Sequence, residues 1–509
     1  MPVRASVGLR LLVVTLLLYV ATAGGSLATT DAVVTFDVTR SLVSRGSLAL
    51  SGNLLGMDAH RGSDGLYYSP FGIGQSVFNI PFYIAGLGVE RLTGSKVGKP
   101  DTVTKAAVAM GNTVAAAGCV WMTFLLAGCT TLGRRGAVTA ALLVAFATVL
   151  WPYSKFGFNA PLSGLCLTGA VYGLCVGTRR NRRAALVGAG IALGAALLTR
   201  HELALAVLPA TVFLVLELRH DRARLTRDLA LVWAPFAFAV GIWLTLNEVR
   251  FGNPFDSGYL RDPIPGFRSP ISAGLYGLLL SPSTSLFLYS PIVLASLPAL
   301  VVFGKRDRHL AWLCGSLVLV FVVFYAFLGN WAGGRSYGSR YLVPVLPFLC
   351  LPVATLFERG FAGPVRASVA ALAIASALTQ VPGVLVDFSR VSQQWAAAAQ
   401  PRPVGDRRLT WSASPLLLNT QEMLAAVPRN LRYLAGRETP PAIDRSSPDI
   451  GRRDFAQQFG FSLDLWWLYL FYLGVYPAWA ALVLGLTPLV LAGWVARGLR
   501  GRLRTAQTI

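Results

Sequence analysis

The chain has 509 residues, 54% hydrophobic and only 13% charged, a balance that excludes a water-soluble globular protein of ordinary composition. Its formal net charge is +22, but the basic residues lie in short clusters between apolar runs, as orientation in a bilayer requires and a nucleic-acid-binding stripe does not. The six cysteines (Cys119, Cys129, Cys166, Cys175, Cys314 and Cys350) all fall in apolar runs without CxxC spacing, which excludes a disulfide framework or a zinc site.

The chain opens with Arg4 and Arg10, an apolar run and a small-residue stretch ending in Ser26-Leu27-Ala28. A cleaved signal peptide and a retained first helix both fit this pattern. The retained helix is preferred, because it would tether the candidate catalytic residues that follow it at the membrane surface. Apolar runs long enough to cross a core of about 30 Å then recur to residue 496. With Lys/Arg clusters marking cytoplasmic ends, they predict an all-α polytopic protein with spans near 11–29, 106–130, 136–152, 158–178, 184–199, 203–217, 229–247, 285–304, 310–328, 342–357, 367–386 and 465–492. Both termini are then cytoplasmic. The stretch 71–90 is apolar too, but counting it as a span would turn the RRNRR run at 179–183 outward, so it is read as a helix lying in or dipping into the outer leaflet.

This register gives a transmembrane core over 1–386 with an external loop at 30–104. An external loop or small cap follows over 387–464, and a last helix with a basic cytoplasmic tail over 465–509. If 32–45 is helical, Asp37, Arg40, Ser41 and Ser44 share a polar stripe, with Val34, Val38 and Leu42 on another side. The cap is expected to be mostly irregular, with one or two short helices around WSASPLLLNTQEMLAAVP at 411–428.

Asp31 and Asp37 follow the first span closely and are the catalytic candidates. A carboxylate held at the membrane surface can take the proton of an acceptor hydroxyl while a phosphate departs with its own charge. The plainer reading makes both residues polar caps of an interfacial helix. Lys155, Arg200, Arg335 and Arg340 sit at external span ends, against the positive-inside bias, and are candidates to bind a lipid phosphate. Contact with lipid headgroups, or pairing with an acid such as Glu202, is the alternative. Tyr67, Tyr68, His201, Tyr259 and Tyr337 lie in the same external segments and are candidates for substrate contact, with an aromatic belt as the alternative for the tyrosines.

The order of these segments resembles the GT-C superfamily of integral-membrane glycosyltransferases, which includes protein O-mannosyltransferases and the aminoarabinose transferases that modify lipid A. The pattern D-x5-D-x8-G from Asp31 through Asp37 to Gly46 resembles the acidic residues, helix and glycine of that superfamily's first external loop, and YYSPFGIGQSVFNIPFYIAGL resembles its second juxtamembrane helix. The frequent Lys-Pro-Pro is replaced here by Ser69-Pro70-Phe71. Bacterial members are also similar through RFGNPFDSGY, LLLSPSTSLFLYSP and GGRSYGSRYLVPVLPF. The resemblance implies an inverting transferase that uses a polyprenyl-phosphate sugar donor and an envelope glycan, lipid or protein acceptor at the outer face of a plasma membrane. It gives Asp31 the general-base role and Asp37 a second-carboxylate role, in acceptor positioning or in binding a divalent metal, on which the superfamily is mixed. A transporter or flippase of lipid-linked sugars is the alternative from another class; such proteins commonly carry inverted repeats and midplane polar sites, which this sequence does not display.

Overall fold

The computed structural model describes residues 2–27, 29–51, 54, 59–93, 101–261, 267, 269–334, 336–358, 361–391, 411–443 and 458–505. Among these the regular structure is helical apart from one small antiparallel hairpin, His60–Arg61 against Tyr67–Tyr68. Eight described helices are long and apolar enough to cross a membrane, from Thr102–Ala127 to Ala478–Gly498, and two shorter apolar helices are Ser6–Ala21 and Arg183–Thr199. The runs expected near 136–152 and 285–304 are helical in pieces: Arg134–Phe146 and Leu150–Tyr153, then Leu286–Tyr289, Pro291–Ala295 and Ser296–Arg306. In the second run Ser290 leaves helical geometry (φ −142°, ψ 66°) ahead of Pro291, which lacks the N–H that would continue the ladder.

The exterior reverses the soluble pattern. Phe238 is 73% exposed, Leu297 71% and Trp494 73%, whereas Asn112, Thr113, Ser163, Thr168, Asn247 and Gln380 are buried between helices. Such an arrangement is stable where hydrocarbon surrounds the protein. Fully buried Ala116, Ala117, Ala140 and Ala141 let the helices approach closely, as expected where dispersion between helices must compete with lipid.

The stretch 71–90 forms the helix Ile73–Thr93, which packs on Thr30–Arg45 and Thr102–Ala127. It is not among the eight that reach spanning length and hydropathy. Its polar side faces protein, where Gln75 Nε2 donates to Asn79 Oδ1 (3.0 Å) and Asn112 Oδ1 (3.2 Å). Its apolar side, with Val77, Ile84 and Leu92, is exposed.

The loops gather at two ends. At one, Arg179 pairs with Asp307 (2.7 Å) and Glu217 (2.9 Å), and Glu358 binds Arg306 and the Gly133 N–H, so the loops carrying the basic clusters meet there. At the other, Asp31 meets Arg340, Arg250 Nη1 donates to the Ser69 carbonyl and Lys155 meets Asp464.

The segment after 411 differs from the short helices expected. It contains a 20-residue helix, Pro415–Leu434, that runs through Pro428. One missing backbone donor is outweighed by what the next turn gains. Asn430 Nδ2 donates to the Phe461 carbonyl (2.9 Å), while its Oδ1 accepts from the Leu463 N–H (3.2 Å) and the Tyr472 hydroxyl (2.5 Å). Around it Ala426, Tyr433, Phe459, Leu468 and Tyr469 form a second, smaller hydrophobic core.

Candidate active site

The site begins with the helix Thr30–Arg45. Thr29 Oγ1 accepts from the Ala32 N–H (3.1 Å) as N-cap, and Gly46 ends the helix at φ 62°, with its N–H returned to the Leu42 and Ser41 carbonyls. The glycine of the D-x5-D-x8-G pattern is thus a helix stop. The first turn sits directly on the 154–158 segment, where a Cβ on Gly157 would fall 2.1 Å from the Ala32 Cβ. That close approach brings Asp31 toward Phe158 and Arg340.

Arg340 Nη1 binds Asp31 Oδ2 at 3.0 Å, with the two side chains 17% and 25% exposed. The guanidinium lies over Phe158 (4.6 Å to the ring centroid) and Tyr341 (5.2 Å), while its Nε, like Ser339 Oγ, is buried with no hydrogen-bond partner among the described residues. Arg200 approaches from another direction. The helix Arg183–Thr199 stops there, Arg200 is extended (φ −147°, ψ 119°), and the turn His201–Ala206 follows. This break puts Arg200 and Glu202 side by side: Nε and Nη2 donate to Glu202 Oε1 at 3.0 and 2.8 Å. Tyr325 Oη donates to the same oxygen (2.7 Å), and its ring stacks on Tyr341 with centroids 4.5 Å apart and planes 6° apart. Since Arg200 also lies over Tyr341 (5.1 Å), this one ring carries both guanidinium groups. Cation–π contact and the two carboxylates hold two like charges close together, an arrangement suited to a ligand with more than one negative oxygen.

Asp37, Lys155, Tyr67, Tyr68 and Tyr337, also singled out in the sequence, lie apart from this group. Asp37 is buried against Arg40, and its Oδ2 accepts from the Ser51 N–H (2.7 Å). Six residues of helix turn it about 120° away from Asp31. Lys155 is fully buried: its ammonium pairs with Asp464 Oδ2 (2.8 Å) and donates to the Val384 carbonyl (2.6 Å) and the Asp464 carbonyl. Burial holds that ammonium below its usual pKa range against the pull of Asp464, and burial followed by Asp464 pushes the Asp387 carboxyl up. Tyr67 is a strand residue of the hairpin, and Tyr68 binds Asp64 (2.7 Å) beneath Phe251. Tyr337 is in the core against Tyr289, with its hydroxyl on the Thr379 carbonyl. His201 and Tyr259 do come together beside Arg200, with ring centroids 5.5 Å apart. Arg335 lies outside the described residues.

Among the described residues no three His, Cys, Asp or Glu side chains form a set able to hold a metal ion. Asp37 is committed to Arg40 and Ser51, and Asp31 to Arg340, so the groups present do not fit a divalent ion shared by the two aspartates.

A family described as dolichyl-phosphate-mannose-protein mannosyltransferase matches residues 101–244. The structure of ArnT from Cupriavidus metallidurans bound to undecaprenyl phosphate superposes with a TM-score of 0.52 at 15% identity, covering 95% of this chain and 77% of that one. The fold is that of the GT-C glycosyltransferases. The same ArnT in its apo state gives a TM-score of 0.51 at 15% identity, over 93% of this chain and 75% of that one. No curated protein sequence matches. The GT-C fold accounts for the joining of Thr30–Arg45 and Ile73–Thr93 to a bundle of apolar helices. Tyr325 and Tyr341 were not marked by the sequence; the only signal was the placing of Tyr341 directly after an arginine in GGRSYGSRY.

Proposed function

We propose that this protein is an inverting glycosyltransferase that moves a sugar from a polyprenyl-phosphate donor to a hydroxyl of an envelope glycan, lipid or protein at the outer face of the plasma membrane. The observation that carries the reading is the Asp31–Arg340 pair beside Arg200 on the Tyr341 ring. ArnT, which shares the fold, binds undecaprenyl phosphate, and the matching family is named for a dolichyl-phosphate sugar donor. The donor phosphate takes Arg340 from Asp31 and engages Arg200, leaving the carboxylate free. The acceptor oxygen then forms its bond to C1 as Asp31 takes the hydroxyl proton, and the C1–O bond breaks with its electron pair going to the phosphate. Both products, the glycosylated acceptor and polyprenyl phosphate, are accounted for without a further reactant.

The direct test supplies purified protein with undecaprenyl-phosphate sugars and extracted envelope acceptors, and follows donor loss and product formation. Carrier movement across a vesicle bilayer with no sugar transfer would overturn the reading in favour of a flippase.

Lysine is expected to replace Arg340 poorly. An ammonium can reach the phosphate but cannot pair two donors with it while lying flat between Phe158 and Tyr341. Arg340→Lys is expected to lower kcat/KM for the donor by about 10- to 100-fold. Arg219→Lys, in the exposed turn next to His220, is expected to be silent. Equal activity of the two variants would reduce the clamp to surface charge.

The proposed sidedness follows from the basic clusters at the end opposite Asp31. Single cysteines at Ser257 and Ser412 are expected to react with a membrane-impermeant maleimide on intact cells, and one at Asn181 only after permeabilisation. Labelling at position 181 from outside would reverse the orientation and move the site to the cytoplasm.

A further inference from the structure

Far from Asp31 a groove opens between the first helix, Pro2–Ala21, and the last, Ala478–Thr505. Its volume is about 630 Å³, and Leu9, Arg10, Val13, Trp494, Arg497 and Gly498 line it. The two helices run antiparallel: Gly485 packs on the Trp467 indole, whose N–H donates to the Ala21 carbonyl (3.1 Å), and Gly498 packs on Arg10. Thirteen residues of helix separate the two glycines, so the groove lies about 20 Å from the level of Trp467 and away from the Lys155–Asp464 end.

The two arginines have no counter-charge on the helices around them. Residues 1–30 and 465–509 contain no Asp or Glu at any position, and neither do the helices packed against this pair, Thr102–Ala127, Arg134–Phe146 and Trp466–Tyr472. Arg4, Arg500, Arg502 and Arg504 add further positive charge at the same ends of the two helices. Arg10 is nonetheless firmly seated. Its guanidinium lies against the Gly498 backbone, where a Cβ would overlap Nη1, so the glycine is what admits it between the helices. Arg497, one residue earlier, is exposed. Around these cations the walls are apolar and turned outward, with Leu9 58% and Trp494 73% exposed. Two guanidinium groups at the head of an apolar groove open to hydrocarbon suit a ligand with an anionic head and long chains; a soluble anion would leave the apolar walls unused.

We propose that this groove binds an anionic glycerophospholipid, with its phosphate on Arg10 and Arg497 and its acyl chains along Leu9, Val13 and Trp494. The phosphate supplies both helices with the counter-charge they lack. The bound lipid thereby ties the first helix, which leads into Thr30–Arg45, to the last. This site is separate from the donor position, and its test uses no donor.

The test is lipid binding by the purified full chain, delipidated in detergent and titrated with phosphatidylglycerol or with phosphatidylcholine of the same acyl chains, read by native mass spectrometry. The first bound lipid is expected to favour phosphatidylglycerol about 10- to 30-fold, the preference that two arginines near a membrane surface supply. Arg10→Gln and Arg497→Gln should each reduce it to about three- to fivefold, and the double variant should remove it. Gly498→Leu keeps both charges but expels Arg10 from its seat, so it should match Arg10→Gln. Arg219→Gln, in the exposed turn next to His220, should leave the preference intact. In phosphatidylcholine both arginine variants should melt with the wild type, because neither breaks an ion pair within the protein; phosphatidylglycerol should raise the melting temperature of the wild type and not of the double variant. The site is overturned if the wild type shows no preference, if the double variant or Gly498→Leu keeps it in full, or if the arginine variants melt early in phosphatidylcholine. It is overturned equally if Arg219→Gln lowers the preference as much as Arg10→Gln, which would make it a surface-charge effect, or if inorganic phosphate displaces the lipid, which would make the ligand a soluble anion.

Discussion

Asp31→Asn is expected to lower glycosyl transfer by about 100- to 10,000-fold, the range over which a positioned general base contributes. Asparagine keeps the shape and leaves the Thr29 N-cap untouched, so the helix Thr30–Arg45 should persist. What disappears is the charge and the ability to accept a proton. The ion pair with Arg340 is also lost, but it is partly exposed on both sides, and pairs of that kind contribute about 0–1 kcal/mol. Abundance and melting temperature should therefore stay near wild type. Donor binding should hold or improve, because the phosphate no longer competes with a carboxylate for Arg340. The measurement is turnover of an undecaprenyl-phosphate sugar together with donor affinity on the same preparation. Unchanged turnover would remove Asp31 from the mechanism, while loss of donor binding along with activity would make it a structural residue. Asp37→Asn should behave differently, since its carboxylate fastens Ser51 and Arg40: it should reduce the amount of folded protein more than the turnover of what remains.

The contrast between the two aspartates shows what the sequence could and could not reveal. The apolar runs and the turn of basic clusters to one side were legible because both follow from local composition. The position of Asp31, as the first carboxylate after an apolar helix, was legible for the same reason, whereas its pairing with Arg340, 309 residues on, was not. Asp37 looked equivalent in the sequence, and only the helical phase and the Ser51 N–H separate them. Arg200 was marked as a cation in the wrong place and Glu202 as an acid able to pair with it; Tyr325, which completes that pair, is 123 residues further on. The stack of Tyr325 on Tyr341 has no local signal, since it depends on two helical segments meeting at one angle. Lys155 is the clearest case of a hidden partner. Read alone it is an external cation seeking a phosphate, but its carboxylate lies 309 residues away, in a stretch read as loop.

That pair leads to a second large expected effect. Lys155 and Asp464 are only 1% and 2% exposed, so removing either leaves the other as an uncompensated buried charge, with a destabilisation of about 3–5 kcal/mol. Lys155→Met is expected to show this as a marked drop in melting temperature in detergent and in folded yield. Two further consequences aggravate it: the Val384 and Asp464 carbonyls lose their donor, and Asp464 is left close to the buried Asp387 carboxyl without the cation between them. The effect should reach beyond the pair. The Asp464 N–H donates to the Leu385 carbonyl (2.8 Å), and the Trp466 N–H to that of Ala23 (2.9 Å), so this stretch joins the end of the first helix to the segment after Leu385. Combining Lys155→Met with Asp464→Leu is expected to restore part of the loss, since an apolar pair of similar volume removes both buried charges. A phosphate-binding lysine would behave in the opposite way, with Lys155→Met keeping its melting temperature and raising KM for the donor. That result would sink the structural assignment and return Lys155 to the phosphate site, whereas loss of stability with partial recovery in the double variant leaves Arg340 and Arg200 as the phosphate-binding cations.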